Sequence, residues 1–240
     1  MRLGLIPRHV PLPRLGATLA SMPPPPEAVN WHALIPLDGD ALGNDTHGNC
    51  VECAALRALQ IQRAAVAGDT RKPTAAEALA LYRDWSGWDG STATDLGTAS
   101  DVAAAKWGGD GIQWGAQFED VPALAAIDAR NVVHVKQAIA ALGPLQLDLA
   151  LPTEWQTATV WDVAGQPGTW GAHRVCAGRY DARFLYLVTW GAEMPITWDA
   201  VAKYHLDACA TATRSWLDTG GRSPDGLTYD ALVQRLAEVA

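Results

Sequence analysis

The apolar runs of this 240-residue chain all fall well short of the roughly 20 residues that cross a bilayer as a helix, so no membrane-spanning segment is expected. Positive charge is thin as well. Lys and Arg number 18 against 26 Asp and Glu, a formal charge of −8, and no basic cluster offers the phosphate-neutralising face of a nucleic-acid binder. Four cysteines, Cys50, Cys53, Cys176 and Cys209, are too few for a disulfide scaffold at this length. The opening MRLGLIPRHVPLPRLG is broken by Pro7, Pro11 and Pro13 and lacks the continuous apolar stretch of a secretory signal, which makes the cytoplasm the expected location of the newly made chain. No internal repeat is visible, and no motif requires a metal or a cofactor.

What is present describes a globular protein. Hydrophobic residues make up 49% and charged residues 18%, enough apolar surface for one domain or two lobes sharing an interface. Eleven tryptophans read as rigid filler of core and lobe interface, or as the lining of an aromatic groove. Residues 1–25 form a Pro-rich arm running into Pro23–Pro26, an extended strap that neither a helix nor a central strand admits. Helical signals then dominate. A run from Cys50 to Ala67 stops before Gly68; Thr74 and Glu77 make a capping box for a helix to about Trp85; Thr98–Asp101 resembles a second box leading to Trp107; a further helix from about Asn131 to Leu142 stops at Gly143–Pro144.

After Pro144 the period changes from helical to alternating. Leu145–Leu151 alternates in twos, and Arg174–Tyr180 and Arg183–Trp190 read as strands joined at Asp181–Ala182. Helix is expected again from about Trp198 to Cys209, and an amphipathic stretch, Thr228–Val239, closes the chain as a helix docked on the body or offered to a partner. The expected organisation is an arm over 1–25, a body over 26–205 with a helical lobe at about 45–130 and a sheet lobe at about 131–205, and a helical extension over 206–240.

Chemistry concentrates at Cys50. It follows Gly48–Asn49 at the head of a helix, where unpaired amides and the helix dipole stabilise a thiolate. Far downstream, Gly171–Ala172–His173 opens an apolar strand and brings an imidazole that can serve as base. Cys50 and Cys53 form a C-x-x-C, but Cys176 and Cys209 give no second pair for a zinc site, and no strand precedes it as in a thioredoxin motif. Cys53 therefore reads as a buried helix residue, or as a partner that traps Cys50 in a disulfide on oxidation. His47, three residues before Cys50, reads as a solvated loop histidine or as one that perturbs the thiol; His134 and His205 read as structural. Asp148, alternating with leucines, is expected to be solvated or to face the cleft and touch substrate.

Together these segments resemble the papain-type cysteine peptidases, in particular divergent short forms of bacterial and phage genomes. Pro26–Trp31 resembles the N-terminal segment of the mature domain. The spacing of Asn44 to Cys50 is similar to that of the family's oxyanion Gln and its Cys, and Gly48–Asn49–Cys50 to its nucleophile turn. Ala138–Leu149 resembles the helix, Gly-Pro and strand that precede the catalytic His. Gly171–Val175 with Tyr180–Asp181 resembles Gly-x-His-Ala-Val and Gly-Tyr-Asp, and Leu187–Gly191 resembles Lys-Asn-Ser-Trp-Gly. The resemblance implies a two-lobed α+β fold, a helical lobe facing an antiparallel, barrel-like sheet lobe across a cleft. It also implies a peptidase or amidase in which Cys50 attacks, His173 shuttles the proton, and Asn44 with the Cys50 amide holds the oxyanion. Gly48, Asn49, Asp148, Ala172 and Trp190 would line the substrate cleft.

Three positions depart from that pattern. Val188 stands where the family has the Asn that orients the imidazole, which leaves Thr189, by its address, and Asp181, by its charge, as candidate orienters. Asn44 is one methylene shorter than Gln and has the Asp45 carboxylate beside it. Arg174 and Arg179 replace small residues along the cleft strand and suggest an altered or blocked groove. Losing an oxyanion donor costs about 10²–10³ in turnover and a misoriented imidazole about 10⁴. Two readings therefore stand: a thiol hydrolase taking a peptide or protein substrate, or a catalytically impaired papain-fold protein that binds partners in a virion or other assembly.

Overall fold

The computed structural model describes residues 3–10, 12, 14, 19–20, 22–115, 117–121 and 123–217. Helix α1 (Cys50–Ala67) starts directly behind the Gly48–Asn49 turn and stops where Gly68 takes φ 65°, a left-handed conformation open to glycine without a Cβ penalty. Helix α2 (Ala75–Ser86) begins at the expected capping box, with Thr74 and Glu77 bonded reciprocally, and ends at Gly87. The second expected box does not form. Helix α3 (Ser100–Gly109) has Ala99 as its uncapped N-cap, and the Ser100 hydroxyl instead donates to Asp148 at 2.8 Å. Helix α4 (Val132–Leu142) is capped by the Asn131 side chain, and α5 is short (Trp198–Tyr204).

The principal sheet is antiparallel and runs β10–β9–β8–β7–β11–β6, with β2 added on β8. Its strands are β2 (Val29–Asn30), β6 (Ala123–Ala126), β7 (Leu145–Leu151), β8 (Gly171–Tyr180), β9 (Phe184–Thr189), β10 (Ala192–Thr197) and β11 (His205–Ala212). Two small pairs flank it: β1 (Leu5–Ile6) with β3 (Thr98–Ala99), and β4 (Ile112–Trp114) with β5 (Gln117–Glu119). Among the described residues the sheet is open, so the barrel-like closure expected from the sequence does not occur.

The boundaries also move. The helix expected over 198–209 ends at Tyr204, and residues 205–212 form β11, wedged between β7 and β6. Ala208, Cys209, Ala210, Thr211 and Ala212 are all buried there. Small side chains fit between two neighbouring strands, and that pairing overrides the helix propensity of alanine. The sheet therefore extends beyond residue 205 and also recruits β6 from the segment assigned to the helical half. The closing stretch Thr228–Val239 lies outside the described residues.

Two cores result. One lies beneath the sheet, with Leu147, Leu149, Val175, Leu185, Leu187, Val201 and Tyr204; the other packs α1 against α2, α3 and β4 with Leu56, Leu59, Trp85, Trp107 and Trp114. Strand β8 belongs to both. Alternation sends Val175 and Ala177 into the first and Cys176 into the second, so β8 is the plate on which the helical half is mounted.

Candidate active site

The head of α1 and the N-terminal end of β8 meet at one small cavity. Its lining includes Asn44, Cys50, Cys53, His173, Arg174, Val188, Thr189 and Trp190. The backbone N–H groups of Arg174, the residue after His173, and of Gly4 lie near the Cys50 sulfur, where they favour its thiolate. A thiol on a helix and an imidazole on a strand more than a hundred positions later are therefore brought together. Burial pushes the Cys50 thiol up to about 12, with the two nearby amides opposing, and pushes His173 down to about 3. In this closed arrangement the pair is a neutral thiol and a neutral imidazole.

His173 is held from two sides. Its Nε2 lies 2.7 Å from the Thr189 hydroxyl, and the Trp190 indole stacks on the ring at 4.4 Å and 11°. Trp190 takes φ 47° and is followed by Gly191 at φ 78°, so a strained backbone turn presents the indole to the imidazole. Behind it Trp170, Trp161 and Trp155 continue as a ladder into the core. Val188 also lines the cavity but packs with the α1 core and offers the ring no polar atom. The polar contact absent from Val188 is supplied by its neighbour. Asp181 is not near the ring: at the β8–β9 turn it accepts from the amides of Arg183 and Phe184 and from Tyr186.

On the nucleophile side, Asn44 is buried and donates to the His47 carbonyl at 3.0 Å, while Asp45 is exposed, its carboxylate turned to solvent. Asn49 is buried and donates to Leu42, which fixes the turn ahead of Cys50. Ala172 packs against the α1 core. Cys53 lies beside the carbonyls of Ala41 and Leu42, and all four cysteines are free.

Asp148 departs from expectation. It is 1% exposed and forms a bidentate pair with Arg174 at 2.5 and 2.7 Å, joined by Ser100 and, through Arg174, by Gln146. Because β7 is buried along its whole length, its polar alternation marks an internal network rather than a wet face. Arg174 therefore does not block the groove. Arg179 pairs with Glu193 and lies over Tyr186.

Glu52, buried two residues after Cys50, receives the Thr98 hydroxyl at 2.6 Å, and its second oxygen has no partner among the described residues. Burial raises it from 4.5 to about 7. An acid raised on folding contributes stability below its unfolded value and loses it as pH climbs to the folded one. His173, lowered on folding, acts in reverse: its contribution is complete above 6.5 and declines as pH falls toward 3. Glu52→Gln is therefore expected to be more stable than the parent by about 3 kcal/mol at pH 8, with no difference at pH 4. Urea titrations at both pH values measure this, and a pH-independent difference would refute it.

The arm completes the site. Residues Leu3–Ile6 lie along the cleft, with the Gly4 carbonyl accepting the Thr98 N–H at 2.8 Å and β1 running parallel to β3. A Cβ placed on Gly171 would come within 2.8 Å of Leu3, and Leu5 is buried in the α1 core. Arg8 anchors the segment, with Nε 2.7 Å from Asp207 and Nη1 3.8 Å from Asp101, and Asp101 also accepts the amides of His9 and Val10. The sequence identified a strap and left open whether it is a tether for a partner or an inhibitory propeptide packed in its own cleft. The apolar Leu3–Gly4–Leu5–Ile6, placed just before the first proline, was the available signal.

With this geometry in place, comparison with solved structures gives a consistent answer. Xylellain, a cysteine protease from Xylella fastidiosa, superposes with a TM-score of 0.63 at 14% identity over 88% of this chain and 95% of that one. The fold is papain-like. A Carica candamarcensis cysteine protease in complex with E-64 gives 0.59 at 16% identity, covering 78% of this chain and 98% of that one. The proform of a ragweed pollen cysteine protease gives 0.59 at 15%, covering 82% and 69%. No family profile and no curated protein sequence matches the chain. At these identities the papain-like likeness is one of fold.

Proposed function

We propose that this papain-like chain is a thiol hydrolase, a peptidase or amidase, with its catalytic pair covered at rest by its own N-terminal arm. One observation carries the reading: His173, oriented by Thr189, and Cys50, with the amide next to that histidine near its sulfur, line a single cavity. In the reaction the Cys50 sulfur bonds to the substrate carbonyl carbon while His173 takes the thiol proton. The Cys50 amide, with Asn44, stabilises the oxyanion. His173 then gives the proton to the departing amine as the C–N bond breaks, and water hydrolyses the thioester.

The arm is an occupant rather than a substrate. It turns an amide N–H, that of Gly4, toward the sulfur, and its carbonyl toward Thr98 on the opposite side. Withdrawal of the arm admits water to both groups, which lowers the thiol and raises the imidazole toward a reactive pair.

Arg8→Glu places a carboxylate against Asp101 and Asp207 and frees the arm. In that chain iodoacetamide is expected to label Cys50 at least about tenfold faster than Cys53, Cys176 or Cys209, and adding His173→Ala removes the preference. Peptide mass spectrometry reads the rates. Equal rates at all four thiols reject the hydrolase and leave a papain fold retained for binding or assembly.

A further inference from the structure

Gly4 does more than lie across the thiol. It is wedged between two other glycines: a Cβ on Gly4 would fall inside the Gly48 peptide, and a Cβ on Gly97 would fall on the Gly4 carbonyl. Such a slot discriminates only if its walls cannot part. Here they are tied together from behind. Asp95 Oδ1 accepts the Gly48 N–H at 2.9 Å and the Tyr82 hydroxyl proton at 2.8 Å, and the same Tyr82 oxygen accepts the Gly97 N–H at 2.9 Å. His47 lies 3.3 Å from the other Asp95 oxygen. Asp95 and Tyr82 are 4% and 0% exposed, and Trp88 stacks on Tyr82 and lies tilted against His47. One carboxylate and one phenol thus connect the turn that carries Cys50 to the strand that pairs with the arm.

We propose that Tyr82 and Asp95 are positioning residues that set the width of the slot beside Cys50 and so reserve it for glycine. The selected class is an extended peptide that pairs with Thr98 in the arm's direction, with glycine in the slot and an apolar residue on either side, as Leu3 and Leu5 stand around Gly4. This deepens the hydrolase reading, since such a peptide closes the site as the arm does.

The test uses full-length chains and reads the hydrogen exchange of the Thr98 amide, which is bonded to Gly4 only while the arm is seated. Gly4→Ala is expected to speed that exchange about tenfold or more, with the melting transition of the fold retained. Tyr82→Phe removes two of the three bonds of the tie and so unlinks Gly97 from Asp95, and in that background Gly4→Ala changes exchange less than about threefold. Multiplying effects, with the full tenfold seen in both backgrounds, would overturn the proposal. A second arm adds a synthetic peptide of residues 1–10 to the Arg8→Glu chain. Labelling of Cys50 slows with the native peptide and not with one carrying alanine in place of the glycine; equal protection by both also overturns it. Exchange does not depend on thiol chemistry. Coupling in exchange together with Cys50 labelling indifferent to His173 would reject the hydrolase and retain the slot.

Discussion

Thr189→Val is expected to slow Cys50 labelling in the Arg8→Glu chain by about a hundredfold, with a ceiling near the 10⁴ seen when a triad loses its orienting group. The bond from His173 Nε2 to the Thr189 hydroxyl leaves Nδ1, which has no hydrogen-bond partner among the described residues, as the nitrogen open to a thiol proton. Valine keeps the shape of threonine and deletes only the hydroxyl, so the Trp190 stack on the ring should survive. The imidazole then loses its preferred tautomer, and the thiol returns to ordinary behaviour, reacting appreciably only as pH approaches about 8.5. Thr189→Ser restores the hydroxyl and should recover most of the rate and the lower-pH profile. Labelling of Thr189→Val within threefold of its parent would remove Thr189 from the mechanism.

The same residue shows how far the sequence was legible. Helices before strands, the thiol at the head of the first long helix and the imidazole at the start of β8 all follow from periodicity, caps and glycines, which are local. The choice between Thr189 and Asp181 depended on which end of β8 each would occupy, and register across β8 and β9 decides it. Asp148 was misplaced for a related reason. Alternation tells which side chains share a face, but not whether that face is wet, and β7 is covered on both sides. β11 was misread because an alanine-rich run fits a helix in isolation and fits equally well between two strands. The Gly4 slot depends on three glycines separated by more than forty residues, and no local pattern announces that convergence.

The other large effect is expected at that misread carboxylate. Asp148→Ala should destabilise the fold by about 3–5 kcal/mol, because it leaves Arg174 buried without its charge partner. Arg174 is 4% exposed, and its remaining acceptors, Gln146 and Ser100, are neutral, so the guanidinium is left buried with no carboxylate bonded to it. Replacing both members by apolar residues of similar volume, Asp148→Leu with Arg174→Met, should cost far less, because the charge and its penalty leave together. Urea denaturation distinguishes the cases, and a loss under about 1 kcal/mol for Asp148→Ala would show that the pair is not the uncompensated burial argued here. The pair matters to the site through position. Arg174 follows His173 and brings its backbone N–H near the Cys50 sulfur, while Ser100, its other contact, opens α3 right after the strand that seats the arm. The double replacement should therefore retain stability yet lose part of the register between β8, α1 and β3, appearing as slower Cys50 labelling in the Arg8→Glu background than in the same background with the native pair.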